Sequence, residues 1–268
     1  MATTGGRGAA DGDGSGSSPR SVVVTGGSRG LGAALARRFA APGVHLGLIA
    51  RDAARLEGVA EACRARGATV RVAALDMRDA AGVDAAVRAW DAEAPVDLAV
   101  SNAAVAHGTR PDGTPETGRE AAEQVAVNLM GAMHLAAPLL DGLRARGGRL
   151  ALVASLAAFR GLPDSPGYCA SKAGLWAWGE ALRAGGLRVT LVAPGVFDSD
   201  MGRRFATPGR FQVTTEDAAA RVEAAIRRGD ATCVFPLPLA LPMRLMPLLP
   251  ARLADRLVAM GRFSVRPE

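Results

Sequence analysis

From Ser21 onward, short runs of β-branched and aliphatic residues alternate with Ala-, Arg- and Leu-rich stretches of helical period, and nothing else in the chain constrains its fold as strongly. A run that is apolar throughout, instead of apolar at every second position, suits a strand covered on both faces, and a helix-length crossover lets the next strand return parallel to it. The pattern predicts strands at Ser21–Thr25, Val44–Ala50, Thr69–Leu75, Val96–Ser101, Arg149–Ser155, Arg188–Ala193 and Thr232–Phe235. Between them it predicts helices at about Gly30–Ala41, Ala53–Arg66, Ala80–Ala92, Glu116–Arg146, Gly167–Ala184 and Thr215–Arg228. Seven strands with helical crossovers make one α/β domain, a doubly wound parallel sheet without internal repeats or linkers. The 268 residues, 49% of them hydrophobic, suffice for one such core and not for a second.

The flanks read differently. Residues 1–19 are rich in Gly, Ser, Ala and Thr and lack the apolar stretch of a secretory signal, so a disordered arm is expected there. Residues 236–268 form an apolar extension punctuated by Pro236, Pro238, Pro242, Pro247 and Pro250, then a short amphipathic helix near Arg252–Met260 with Leu253 and Leu257 on one side. Packing over the domain, a subunit interface and a surface-lying peripheral membrane contact are the readings it leaves open. No run of eighteen apolar residues predicts a membrane span. The net charge of +6 comes from arginines scattered singly or in pairs along helical stretches, which reads as solvated helix faces and argues against a nucleic-acid partner. Cys63, Cys169 and Cys233 stand far apart, and His45, His107 and His134 lack metal-ligand spacing. Neither a disulfide framework nor a metal site is expected, and a reducing cytoplasm suits the chain. None of the three histidines is assigned a catalytic role, although His107 follows the fourth strand and could line the pocket.

Immediately after the first strand comes Thr25-Gly26-Gly27-Ser28-Arg29-Gly30-Leu31-Gly32, opening a helix. Glycines at such a turn let the backbone approach a pyrophosphate, whose charge then sits on the positive end of the helix dipole. Between strand and helix this is the context of a Rossmann-type dinucleotide loop. About 20 positions further on, an acid would accept the ribose hydroxyl of NAD, whereas an arginine would receive the 2′-phosphate of NADP. That count leads to Ala50-Arg51, and Arg29 adds a second cation, so NADP(H) is expected over NAD(H), unless both arginines are incidental surface charges. Asp76, next to Met77 at the end of the third strand, either accepts the adenine amino group or caps the following helix. Ser101-Asn102-Ala103-Ala104 ends the fourth strand at the carboxyl edge of the sheet, where the ligand crevice of such folds lies.

The only tyrosine, Tyr168, lies four residues before the only lysine, Lys172, in a chain with 32 lysines and arginines. Four apart on a helix, the two share a face. A free phenol titrates near ~10, and a neighbouring ammonium favours its ionised form, so the pair predicts a tyrosine that exchanges protons more readily than usual.

Taken together these residues resemble the short-chain dehydrogenase/reductase family over about Ser21–Phe235. The glycine loop, the Asn-Ala pair, Asn128 in a long helix, Ser155 ending the fifth strand, Tyr168-Cys169-Ala170-Ser171-Lys172 and Pro194-Gly195 after the sixth strand follow the family's order. Two features depart from it: Ser101-Asn102-Ala103-Ala104 stands where Asn-Asn-Ala-Gly is usual, and the helix carrying Tyr168 runs out early at Gly185-Gly186. The resemblance implies interconversion of a carbonyl and an alcohol by hydride transfer to or from NADP(H), with Tyr168 as proton donor and acceptor. Lys172 would steady the phenolate and grip the nicotinamide ribose, Ser155 would orient the substrate oxygen, and Asn128 would hold a water that relays protons to the lysine. Cofactor contacts would come from Gly26, Ser28, Arg29, Gly30, Leu31, Gly32, Arg51, Asp76, Met77, Asn102, Ala103, Tyr168, Lys172, Pro194, Gly195 and Val196. The resemblance also implies a homo-oligomer and a lid over residues 196–213, with Phe197, Met201, Phe205 and Phe211 apolar, as are Leu156, Phe159 and Leu162 beyond Ser155, for a lipophilic small molecule. The alternative is a catalytically silent NADP(H)-binding regulatory protein.

Overall fold

The computed structural model describes residues 18–205 and 213–266. The expected arm at residues 1–19 lies almost wholly outside them, and so does Phe211 of the expected lid. Strands β1 (Ser21–Thr25), β2 (His45–Ala50), β3 (Thr69–Ala74), β4 (Leu98–Ser101), β5 (Arg149–Val153) and β6 (Arg188–Pro194) follow one another along the chain. Two short strands, β7 (Phe197–Asp198) and β8 (Val213–Thr214), pair with each other, and β9 (Thr232–Phe235) completes the set. The main sheet has seven strands in the order β3-β2-β1-β4-β5-β6-β9, every pair parallel. It is a doubly wound α/β sheet whose strand order reverses between β1 and β4, where such sheets open a crevice.

Burial follows from the composition of the strands. In β1 all five residues are buried, and successive side chains feed opposite layers. Val22 and Val24 join the core under α1 (Gly30–Phe39), α2 (Ala53–Arg64) and α8 (Thr215–Arg228), while Val23 joins the core under α3 (Ala80–Glu93), α5 (Gly131–Ala136) and α7 (Pro166–Ala184). The edge strand β3 is largely exposed.

Two expectations of the sequence are corrected. The helix expected over Glu116–Arg146 is broken into α4 (Gly118–Val125), a π-helical turn at Ala126–Met130, α5, and α6 (Leu140–Arg146), with a 54° bend before the last piece. Thr117 and Glu120 form a capping box that starts α4 two residues late, and Pro138, which has no N–H to donate, ends α5. The π turn inserts a residue into the helical ladder without any Gly or Pro to announce it. The extension after Phe235 is also more ordered than its prolines suggest. It forms α9 (Leu237–Leu245), a 3₁₀ turn at Met246–Leu248 and α10 (Ala251–Ala259). Pro238 occupies the first turn of α9, where no N–H is needed.

Candidate active site

The glycine turn is tied to the end of β4 by two side chains. Asn102 Nδ2 donates to the carbonyls of Thr25 (3.0 Å) and Gly26 (3.3 Å), and Thr25 Oγ1 accepts from the backbone N–H groups of Asn102 (3.0 Å) and Ala103 (3.1 Å). Gly26 has φ +66°, in the left-handed region, and a methyl group there would lie 2.9 Å from the Ala103 Cα. On Gly32 it would lie 2.3 Å from the Gly26 carbonyl oxygen. The first turn of α1 contains no acidic residue and Arg29 at its start makes no side-chain cap, so the positive helix end faces the crevice. These residues fit a dinucleotide pyrophosphate, with the backbone close to the surface and no acid in the first turn of α1, although Asp200 lies on the same cavity and pairs with Arg29 at 3.7 Å.

One cavity of about 790 Å³ runs from this turn across the carboxyl edges of the strands. Of the residues expected to contact a cofactor, Gly26, Ser28, Arg29, Gly30, Leu31, Arg51, Asp76, Met77, Asn102, Ala103, Pro194, Gly195 and Val196 line it, together with Ser155, Tyr168 and Lys172. Gly32 lies beneath the turn and Asn128 behind the wall; neither reaches the cavity. Asp76 does not cap α3, since Asp79 does so by accepting from the Gly82 N–H at 3.0 Å. Asp76 instead accepts from the Arg78 guanidinium at 2.9 and 2.7 Å, which holds its carboxyl below the usual range against the opposing effect of burial.

The chemistry-bearing side chains come from three elements. Ser155 follows β5, where the strand passes into a short 3₁₀ turn, and its Oγ accepts from the Ala157 N–H at 3.2 Å. Tyr168 and Lys172 project from the first turns of α7, with Lys172 Nζ 5.7 Å from the centre of the phenol ring, and the Ser155 side chain lies on the same cavity. Lys172 is 2% exposed and donates to the Val153 carbonyl at 2.8 Å. Asn128, in the π turn, accepts from the Val105 N–H at 2.8 Å and donates to the Val105 carbonyl at 2.9 Å and to Ser171 Oγ at 3.0 Å. Ser171 in turn donates to the Tyr168 carbonyl at 2.8 Å. Asn128 therefore braces the turn of α7 that carries the pair, and its side-chain hydrogen bonds run to Val105 and Ser171 instead of to Lys172.

The expected acidic phenol is overturned. Burial pushes the Tyr168 phenol up to about 12, with the Ser155 side chain opposing it, and burial pulls the Lys172 ammonium down to about 7. Desolvation disfavours both charges and is the largest cause of each shift. Sequence spacing reports that two groups are neighbours, not how deeply they lie.

The C-terminal extension packs over the domain, one of the readings its sequence leaves open, and there it lines the cavity. Pro238, Leu239, Pro242, Met243 and Met246 from α9 and its following turn, with Gly261 and Phe263 beyond α10, close the cavity opposite Leu156, Leu162, Phe197, Met201 and Phe205. Phe205 stands between Tyr168 and Phe263, with ring centres 6.3 and 5.7 Å away. Asp164, its side chain 1% exposed, anchors this end: it accepts from Arg262 Nε at 2.8 Å and from the Phe263 N–H at 3.0 Å. The chain then runs past Thr109, whose carbonyl accepts from the Val265 N–H at 2.8 Å. Phe159, an expected wall residue, and His107, which could have lined the pocket, lie elsewhere. Phe159 packs edge-on against Trp176, ring centres 4.8 Å apart, under Arg244. His107 faces Glu120 and Glu123 in a neighbouring cavity of about 200 Å³.

A doubly wound sheet with a glycine turn at its switch point and a Ser, Tyr and Lys beside it defines a dinucleotide-dependent oxidoreductase class. The family model described as short chain dehydrogenase matches residues 20–208, and the chain belongs to that family. An uncharacterized oxidoreductase of Myxococcus xanthus is 37% identical over 246 residues, 88% of this chain and 95% of its own. One of Mycobacterium tuberculosis is 33% identical over 245 residues, 88% and 96% of the two chains. Among solved structures, an alcohol dehydrogenase of the archaeon Thermococcus sibiricus complexed with 5-hydroxy-NADP is similar at TM-score 0.71 and 26% identity, covering 81% of this chain and 95% of that one. The protein is a short-chain dehydrogenase/reductase enzyme.

Proposed function

We propose that this enzyme reduces a ketone or aldehyde on a lipophilic small molecule, using NADPH, and that it runs the reverse oxidation less readily at neutral pH. The observation that carries the reading is the convergence of Ser155, Tyr168 and Lys172 on one cavity with the glycine turn at its other end. When bound, the nicotinamide supplies the hydride. As negative charge develops on the substrate oxygen, Tyr168 donates its proton to that oxygen, and Ser155, lining the same cavity, would hold the oxygen within reach. A phenol raised to about 12 is fully protonated at neutral pH, which suits the reductive direction. Lys172, whose ammonium titrates near 7, offsets the phenolate left behind and would hold the ribose of the bound cofactor. Gly26, Ser28, Gly30 and Leu31 would hold the pyrophosphate, and Asp76 the adenine.

The preference for NADP(H) rests on Arg51, which follows the last residue of β2, and on Arg29, both lining the cavity; Arg29 pairs with Asp200 at 3.7 Å and the neighbouring Arg55 with Asp52 at 3.3 Å. The similar archaeal dehydrogenase, whose bound ligand is an NADP derivative, supports it. The apolar wall of Leu156, Phe205, Leu239, Met243 and Phe263 supports a lipophilic substrate.

The test is a panel of ketones and aldehydes followed by NADPH absorbance. Tyr168→Phe is expected to lower turnover by about 10²–10⁴-fold, the usual worth of a positioned proton donor. Equal turnover by the two proteins refutes the assignment of Tyr168, and tighter binding of NADH than of NADPH in a fluorescence titration refutes the cofactor preference.

A further inference from the structure

The segment that roofs the cavity turns a second apolar face outward. On α9, Leu237, Leu241 and Leu245 recur every fourth residue and so share one side, while Ala240 is buried and Met243 faces the cavity. Leu237 is 72% exposed, and Leu248 in the following turn is 80% exposed. On α10, Leu253, Leu257 and Met260 repeat the arrangement, with Ala254 buried behind them. Soluble surfaces scatter single leucines, but three consecutive short elements that all leave their largest apolar side chains in solvent mark a contact surface. Between Pro236 and Arg266 five arginines stand against one carboxylate, Asp255. Of these, Arg252 and Arg256 are exposed on α10 beside Leu253 and Leu257 in sequence, whereas Arg244 on α9 lies over Phe159 and Trp176 and Arg262 pairs with Asp164.

We infer that the α9–α10 face docks on an anionic lipid surface, with the leucines entering the acyl boundary and the arginines engaging the headgroups. Charge decides between this occupant and a second copy of the chain. A twofold contact would bring the patch against itself and set Arg252 and Arg256 near their own counterparts, whereas an anionic leaflet complements both the leucines and the excess of arginine. Long arginine stems let their guanidinium groups stay at headgroup level while neighbouring leucines sink. No single described helix is long and apolar enough to cross a membrane, so the contact is an interfacial one. The same α9 carries Leu239 and Met243 on the cavity wall, so docking would turn the roof of the cavity toward the source of a lipophilic substrate. That last consequence rests on the proposed function; the docking itself does not.

The experiment is flotation of the full chain with vesicles of phosphatidylcholine alone or mixed with phosphatidylglycerol, at low and at raised salt. Binding is expected to the mixed vesicles and to weaken with salt. The double variant Leu241→Asp, Leu245→Asp should bind more than about tenfold less, and Arg252→Gln with Arg256→Gln about fivefold less per arginine removed. None of these residues lines the cavity, so NADPH binding and circular dichroism check that the variants are folded. A Leu248→Trp variant should shift its emission to the blue on the mixed vesicles. Absence of flotation by the folded wild type overturns the inference, as does equal binding by wild type and the aspartate variant. Sedimentation equilibrium showing a dimer that the aspartate variant dissolves assigns the face to a second copy instead.

Discussion

Lys172 gives the sharpest quantitative test, because its burial converts directly into a dependence of stability on pH. An ammonium titrating at about 7 in the folded protein and at the ordinary 10.5 in the unfolded chain binds fewer protons when folded throughout that interval. Stability must therefore rise as pH rises through the window, by at most about 1.4 kcal/mol per pH unit, and the full cost of burying the charge is felt only below pH 7. Integrated from pH 7 to pH 9, the lysine contributes a gain of about 2 kcal/mol. Lys172→Met keeps most of the side-chain volume, removes the titration and leaves the Val153 carbonyl without its 2.8 Å donor, a loss that does not vary with pH. The assay is urea unfolding of both proteins at pH 7, 8 and 9. Burial raises Cys63 and pushes Cys169 and Cys233 up to about 11, which lowers stability toward alkaline pH, but all three are shared and cancel in the comparison. The wild type should gain about 2 kcal/mol on the variant across the range. Parallel stability curves would show that Lys172 titrates like an exposed amine, and the argument from desolvation would fail.

Gly32→Ala places a methyl group 2.3 Å from a backbone carbonyl that the Asn102 side chain holds in place, so a loss of about 1–3 kcal/mol of stability and at least tenfold weaker NADPH binding are expected. Gly27→Ala, whose methyl meets Leu48 at an ordinary 3.5 Å, should change neither in thermal melting or fluorescence titration. Asn128→Ala removes the brace between Val105 and Ser171 and should lower kcat more than it raises the KM for substrate; steady-state kinetics showing only a KM effect would place the residue elsewhere in the mechanism. Arg262→Ala removes the guanidinium from the buried Asp164 and frees the Phe263 wall, so the KM for a bulky ketone should rise several-fold while NADPH affinity stays unchanged.

The sheet was legible because parallel strands covered on both faces are written as unbroken apolar runs: Ser21–Thr25 and Thr232–Phe235 fall where the pattern places them, and the other strands differ by a residue or two at their ends. The turn from Gly26 to Gly32 and the pair Tyr168 and Lys172 were legible because each is a local spacing with a geometric meaning. The break at Asn128 was not, since a π turn alters hydrogen bonding without altering composition, although Pro138 did carry a signal for the bend that follows. The roof of the cavity depends on Asp164 meeting Arg262, residues far apart in sequence with no periodicity linking them. Thr25, which ties the glycine turn to β4, carried only the faint signal of a hydroxyl at the end of a valine run. Burial, which reverses the expected shift of the phenol, is a property of the assembled layers and is not written at any one position.

Two lengths of chain divide the cavity between them: residues 26–205 form the floor and one side, and residues 238–263 the remaining side. Only the first falls within the stretch that matches the family. Drift in the second length can therefore retune which molecule fits, leaving the hydride-handling end untouched, and exchanging residues 236–266 between relatives becomes a direct way to move substrate preference without rebuilding the enzyme.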